Sequence, residues 1–115
     1  IDAYAVVDSV SFASAAQTAG EFSIGVYRTN ADGGAAVDMD FFATRIDVAS
    51  AVALTDVTNE STTNTLLKQN QPLWQALGVS TAPAPGTKYD VCLTVDTTAI
   101  TTGTGAVALK VRYTI

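Results

Sequence analysis

A chain of 115 residues, 48% hydrophobic and with a formal net charge of −5, is long enough for one core that buries roughly two-thirds of the surface its unfolded form exposes. No apolar run approaches the roughly 18 residues that a spanning helix needs, and six singly scattered basic residues cannot assemble the cationic patch on which nucleic-acid or acidic-lipid binding depends. With no histidine and one cysteine, the commonest general base, every Ser-His or Cys-His nucleophile arrangement and an intrachain disulfide are excluded.

Ile1 opens the sequence without an initiator Met or a signal-like run, as in a processed product or a portion of a longer polypeptide. Residues 1–115 are expected to form a single domain. Only 15% of the residues are charged, below the roughly 25% usual for soluble domains, so the surface is largely Thr, Ser, Asn and Ala. Such a surface suits a protein partly covered by a partner.

In chain order, Tyr4 to Phe12 separates by parity. Tyr4, Val6, Val10 and Phe12 take one face with Asp8 as the exception, which predicts a first strand. Phe22, Ile24 and Val26 resume the two-residue period in a second, and "TNADGGAA", Thr29–Ala36, supplies a turn rich in residues that tolerate positive φ. "VDMDFFATRIDV" alternates through Val37, Met39 and Phe41, then changes register to Phe42, Ile46 and Val48. A bulge near Phe42–Ala43 reconciles the two. "SAVALTDVT" reads as a short strand and "NESTTNT" as exposed loop, its "NES" a chance glycosylation match. "NQPLWQALG" is the one helical signal: Pro72 suits the first turn, Gly78 follows the end, and Leu73, Trp74 and Leu77 share a face, with Trp74 plugging one end of the core. After the extended "STAPAPGTK", Tyr89–Asp96 and Val107–Ile115 alternate cleanly and are expected to pair as a long antiparallel hairpin around "TTAITTGTG". The two strand–Gly loop–strand stretches echo each other and could each contribute a hairpin. The pattern predicts an all-β, antiparallel two-sheet β-sandwich, jelly-roll-like, with one short helix near Pro72–Leu77.

Candidate chemistry is sparse. Asp38 and Asp40 share a strand face and are the only weak metal candidates, although alternation with Val37, Met39 and Phe41 already explains them as the solvent-facing half of a strand. "NADGG" fails as a calcium loop, because Arg28 would stand at the first ligand position and Met39 at the closing Glu position. "GTG", Gly103–Gly105, precedes a strand where a phosphate loop must open a helix. Cys92 lies among acidic neighbours, Asp90 and Asp96, that disfavour a thiolate, so an inert thiol on a partly covered face is expected. Tyr27, Tyr89 and Tyr113 could form a sugar-binding platform, but Tyr89 and Tyr113 fall in phase with core residues and read first as core anchors. No catalytic residue and no cofactor is expected.

"GEFSIGVYRTNADGGAAVDMDFFATRIDVASA" and "KYDVCLTVDTTAITTGTGAVALKVRYT" resemble small virion structural proteins of tailed bacteriophages, the head decoration or cement proteins. The similarity covers most of Gly20–Ser50 and Lys88–Thr114 and leaves Leu54–Pro85 unmatched. The resemblance implies a non-enzymatic β-sandwich on the capsid exterior of the virion, bound to the major capsid protein, stabilising joints between capsid subunits, and self-associating as a dimer or trimer. On the physical reading, neither nucleic acid nor membrane is a partner. Contacts are expected at the polar face carrying Cys92 and Thr94, at the turn carrying Asn30 and Asp32, at the loop carrying Thr102 and Thr104, and at strand edges Tyr4–Phe12 or Val107–Ile115. A glycan-binding or adhesion module of a phage fibre or bacterial surface protein is the alternative.

Overall fold

The computed structural model describes residues 1–96 and 105–115. Six strands form two antiparallel three-stranded sheets, so the expected all-β, two-sheet architecture is what the chain adopts. One sheet has the order β4-β1-β6, from β4 (Val52–Asp56), β1 (Val6–Ser14) and β6 (Val107–Thr114). The other has the order β3-β2-β5, from β3 (Ala36–Asp47), β2 (Glu21–Arg28) and β5 (Tyr89–Val95). Alternation turns Val10 and Phe12 of β1, and Phe22, Ile24 and Val26 of β2, into one apolar layer between the sheets. Phe12 and Phe22 meet across it edge to face, ring centroids 5.9 Å apart.

The expected hairpin between Tyr89–Asp96 and Val107–Ile115 does not form. β5 pairs with β2 from Phe22↔Val95 to Arg28↔Tyr89, whereas β6 pairs with β1 from Val6↔Thr114 to Ser14↔Val107. Alternation reports which face a strand buries and is silent on its partner. Every connection except β2–β3 crosses from one sheet to the other. The supposed internal echo therefore holds for one hairpin only.

The first strand differs in three respects. It starts at Val6, with Tyr4 in the preceding turn. It is the central strand of its sheet, so it offers no free edge. Asp8 is also an extra residue, because Val7 pairs with Tyr113 and Ser9 with Arg112. This bulge brings Val7, rather than Val6, into phase with Val10 against the core. Asp8 was an exception to the alternation for this reason.

The bulge expected near Phe42–Ala43 is present and larger than a single residue. Val26↔Asp38 is followed by Ile24↔Ala43, so the chain from Asp38 to Ala43 lies against the step from Val26 to Ile24. The slack lets Phe41 and Phe42 both enter the core, rings edge to face with centroids 4.9 Å apart. A second irregularity at Arg45, whose φ is +51°, returns the strand to register at Ile46.

The segment after β4 is a loop, as "NESTTNT" suggests, with Glu60, Thr62, Thr63 and Thr65 exposed, but it is anchored from within. Thr58, Ser61 and Asn64 are buried and lace the two sheets together. The Val10 amide donates to Thr58 Oγ1 (2.8 Å), the Ser61 amide to the Phe42 carbonyl (2.9 Å), Ser61 Oγ to the Phe41 carbonyl, and Asn64 Nδ2 to the Thr58 carbonyl (2.7 Å). The bulged carbonyls of Phe41 and Phe42 need such partners, because a buried orphan costs about 1–3 kcal/mol. The helix α1, Leu73–Ala76, follows Pro72 and ends before Gly78 as expected. It buries Leu73 and Ala76, and its first amides donate to Ala5 O (2.8 Å) and Ala3 O (3.0 Å). Trp74 closes that corner, edge to face with Tyr4 at 6.1 Å.

Candidate functional site

The sequence-derived candidates fall in three places. Asn30 and Asp32 lie in the 3-10 turn at the tip of the β2–β3 hairpin, which closes through Asp32 and Gly34 amides to the Thr29 carbonyl, 2.9 Å each. Beside it, Thr29, Ala31, Asp32, Gly86, Thr87 and Lys88 line an open hollow of about 490 Å³. One acid and one base stand in it. Thr102 and Thr104, like the Gly103 and Thr104 of "GTG", lie outside the described residues.

Cys92 and Thr94 occupy the outer face of β5 and are half-buried. Their cover comes from this chain. Cys92 stands opposite Gly25 in the β2–β5 register, and the Asp38–Met39 backbone of the β3 bulge crosses so close over Gly25 that a Cβ there would strike it. The Thr94 hydroxyl shares a 2.6 Å hydrogen bond with Tyr27 Oη. Burial, and then the charge of Asp90, raise the Cys92 pKa above the ordinary thiol value, which leaves it a thiol at neutral pH.

Asp38 and Asp40 sit within the bulge, half-buried rather than on a fully solvated face. Burial, and then the neighbouring Asp40 side chain, raise the Asp38 pKa above the ordinary carboxylate value, with Lys68 working against the shift. The Asp40 amide reaches Asp38 Oδ1 at 3.3 Å, and Thr44 Oγ1 reaches Asp40 Oδ2 at 3.4 Å. Glu60 is engaged with the Thr44 amide at 2.7 Å. Among the described residues no three acidic, Cys or His side chains converge on a point that could hold a metal ion. A small cavity behind Phe41 and Phe42, about 10 Å³, has room for no more than a water.

The tyrosines do not assemble a platform. Tyr89 is buried, as expected of a core anchor, and its pKa is raised mainly by that burial. Tyr113 is exposed, contrary to its expected core role, because β6 is an edge strand with little packed over its end.

A further place was not among the sequence candidates except as the edge Val107–Ile115. It is the side of the sandwich where β5 and β6 are the outermost strands of their sheets. The opposite side, at β3 and β4, is closed by the Thr58–Asn64 network. On the β5/β6 side the inward rows Val91, Leu93, Val95 and Val107, Leu109, Val111 are at best half-buried. Sequence reasoning missed this surface because it placed the two strands beside each other. Comparisons of this chain with protein-family models, with curated proteins and with solved structures return no match.

Proposed function

We propose that the chain is a non-enzymatic structural subunit that attaches to the outside of a bacteriophage head and stabilises joints between copies of the major capsid protein. The observation that carries this reading is the pairing of a well-filled core with an uncovered apolar exterior. Leu66 and Leu67 are 74% and 91% exposed on one 3-10 turn, and Leu54 projects from the edge strand β4. A surface with few charges to desolvate favours attachment to another protein. The stretches that resemble decoration proteins, Gly20–Ser50 and Lys88–Thr114, supply the whole β3-β2-β5 sheet and the adjacent edge strand β6. The unmatched middle supplies β4, the buried polar segment and α1.

Cementing requires only area. At about 25 cal/mol per Å² of apolar surface, a few hundred Å² per joint offers several kcal/mol before association costs, and an icosahedral shell repeats the joint many times. The test is reconstitution. Purified protein is added to mature heads that lack it, and binding is read by co-sedimentation, by density on the head exterior in electron microscopy, and by the temperature at which heads release DNA. Saturable exterior binding with a higher release temperature is expected. Absence from the exterior, together with selective micromolar binding on a glycan array, would establish the adhesion module instead.

A further inference from the structure

Among the described residues, the outer edges of β5 beyond Tyr89 and of β6 have no partner strand. The Tyr89 amide and carbonyl are taken by Ile1, whose amine donates to Tyr89 O at 2.6 Å and whose carbonyl accepts from Tyr89 N at 2.8 Å. The Asp96 amide turns the other way, to Glu21 of β2 at 2.9 Å. By alternation Val91, Leu93 and Val95 therefore aim their backbone groups away from β2. On β6, Ala106 accepts from the Ala15 amide at 2.9 Å, so Val107, Leu109 and Val111 aim theirs away from β1. The same residues form the inward apolar rows. Val95 is 48% and Val107 37% exposed although both are in phase with the core.

Charge separates the two edges. The outward positions of β6 hold Lys110 and Arg112, and those of β5 begin with the exposed Asp90. A β6 edge facing a second β6 would set Lys and Arg against their own kind, which is destabilising, whereas β6 facing β5 sets them against Asp90 and the uncharged Cys92 and Thr94. Polarity agrees. Asp96 lies beside Glu21 at the start of β2, and Val107 beside Ser14 at the end of β1, so the end of β5 and the start of β6 share one end of the sandwich and the two strands run antiparallel. A two-fold axis along the strands then brings β6 of one molecule antiparallel to β5 of another, inward rows on the same side, at both junctions together.

We propose that two copies of this chain join through the β5/β6 side, β6 of each adding to β5 of the other, so that two six-stranded sheets enclose one continuous apolar layer. Ile1 limits the incoming strand to the rungs at Val91, Leu93 and Val95. The inference stands independently of attachment to a head.

Light scattering and sedimentation of the purified protein test it. A dimer is expected at micromolar concentration, with weaker association at high salt because the attraction of Lys110 and Arg112 to Asp90 is screened. Val111→Pro removes an amide that points to the partner and not to β1. It should abolish the dimer while the circular dichroism spectrum stays that of the parent. Cysteines introduced one at a time as Lys110→Cys, Arg112→Cys and Thr114→Cys cover the in-phase registers, and at least one should form an interchain disulfide with native Cys92 that is lost in the Cys92→Ser background. A monomer at all concentrations overturns the proposal. So does a dimer that persists in Val111→Pro and yields no Cys92-linked product, or one whose cross-links survive Cys92→Ser, which would mean β6 facing β6.

Discussion

Gly25, Thr58 and Asp38 each do something their residue types do not announce. Gly25 sits mid-strand, where glycine is usually a cost, and is required because the Asp38–Met39 backbone passes directly over it. Gly25→Ala should therefore destabilise by about 3 kcal/mol or more, the upper range for overpacking against backbone that cannot yield, read as a lower urea midpoint. Thr58 serves both the Val10 amide and Asp56, donating to Asp56 Oδ1 at 2.6 Å through its hydroxyl and at 2.9 Å through its amide. Those bonds hold the Asp56 carboxyl below its ordinary pKa. Its contribution is thus present above the unfolded carboxylate range and lost as pH falls through the depressed value. Thr58→Val should cost about 1–3 kcal/mol at neutral pH by orphaning the Val10 amide and should shrink the acid-side loss of stability, measured by urea titration across pH. Asp38 has the opposite sign. Its raised pKa means that its contribution is present below the ordinary carboxylate range and disappears as pH rises through the folded value. Asp38→Asn should stabilise the protein at pH 7 and not at acid pH, and an equal effect at both would refute a buried carboxyl.

At the scale of elements, the helix and the bulge were legible and the polar segment was not. Pro72 and Gly78 bracket α1 because a missing amide is harmless at a helix start and a positive φ, +79° here, is needed just beyond its end. The β3 bulge showed in the sequence as two incompatible apolar registers, Val37 to Phe41 and Phe42 to Val48. Thr58, Ser61 and Asn64 gave no such signal, because Ser, Thr and Asn are as common in solvated loops as in hydrogen-bonded interiors. Their burial follows from which carbonyls the β3 bulge leaves unpaired, a tertiary fact. The same logic sorts the leucines. Leu73, 2% exposed, fills the corner above Ala3 and Ala5, and Leu73→Ala should cost about 2–5 kcal/mol. Leu67→Ser lies outside the core and should change folding stability by about 0.5 kcal/mol at most, so any loss of head binding in that variant reports attachment rather than unfolding.

For the whole molecule, connectivity sets the behaviour, and connectivity is what the sequence withheld. Each strand displays its face through a two-residue period, but the identity of its neighbour depends on where a connection lands, and residues 96–106 can either turn back or cross the roughly 10 Å between sheets. Here they cross. The first and last strands therefore pair with each other, Ile1–Ala3 is bonded to Thr87–Tyr89, and neither sheet is built from a continuous stretch of chain. A molecule knitted this way has no sheet that can persist alone, so it should unfold in one cooperative step despite its two layers. The sole tryptophan, Trp74, reports the α1 corner, while far-ultraviolet circular dichroism reports both sheets. Their urea transitions should superimpose, with refolding on the millisecond-to-second scale of other non-local β topologies. Deleting residues 107–115 should abolish both signals together, because β1 would lose its longest pairing and Phe12 its cover from Leu109. Retention of the Trp74 transition in that truncated chain would show that the β3-β2-β5 sheet and its corner fold alone, contrary to the interlaced topology.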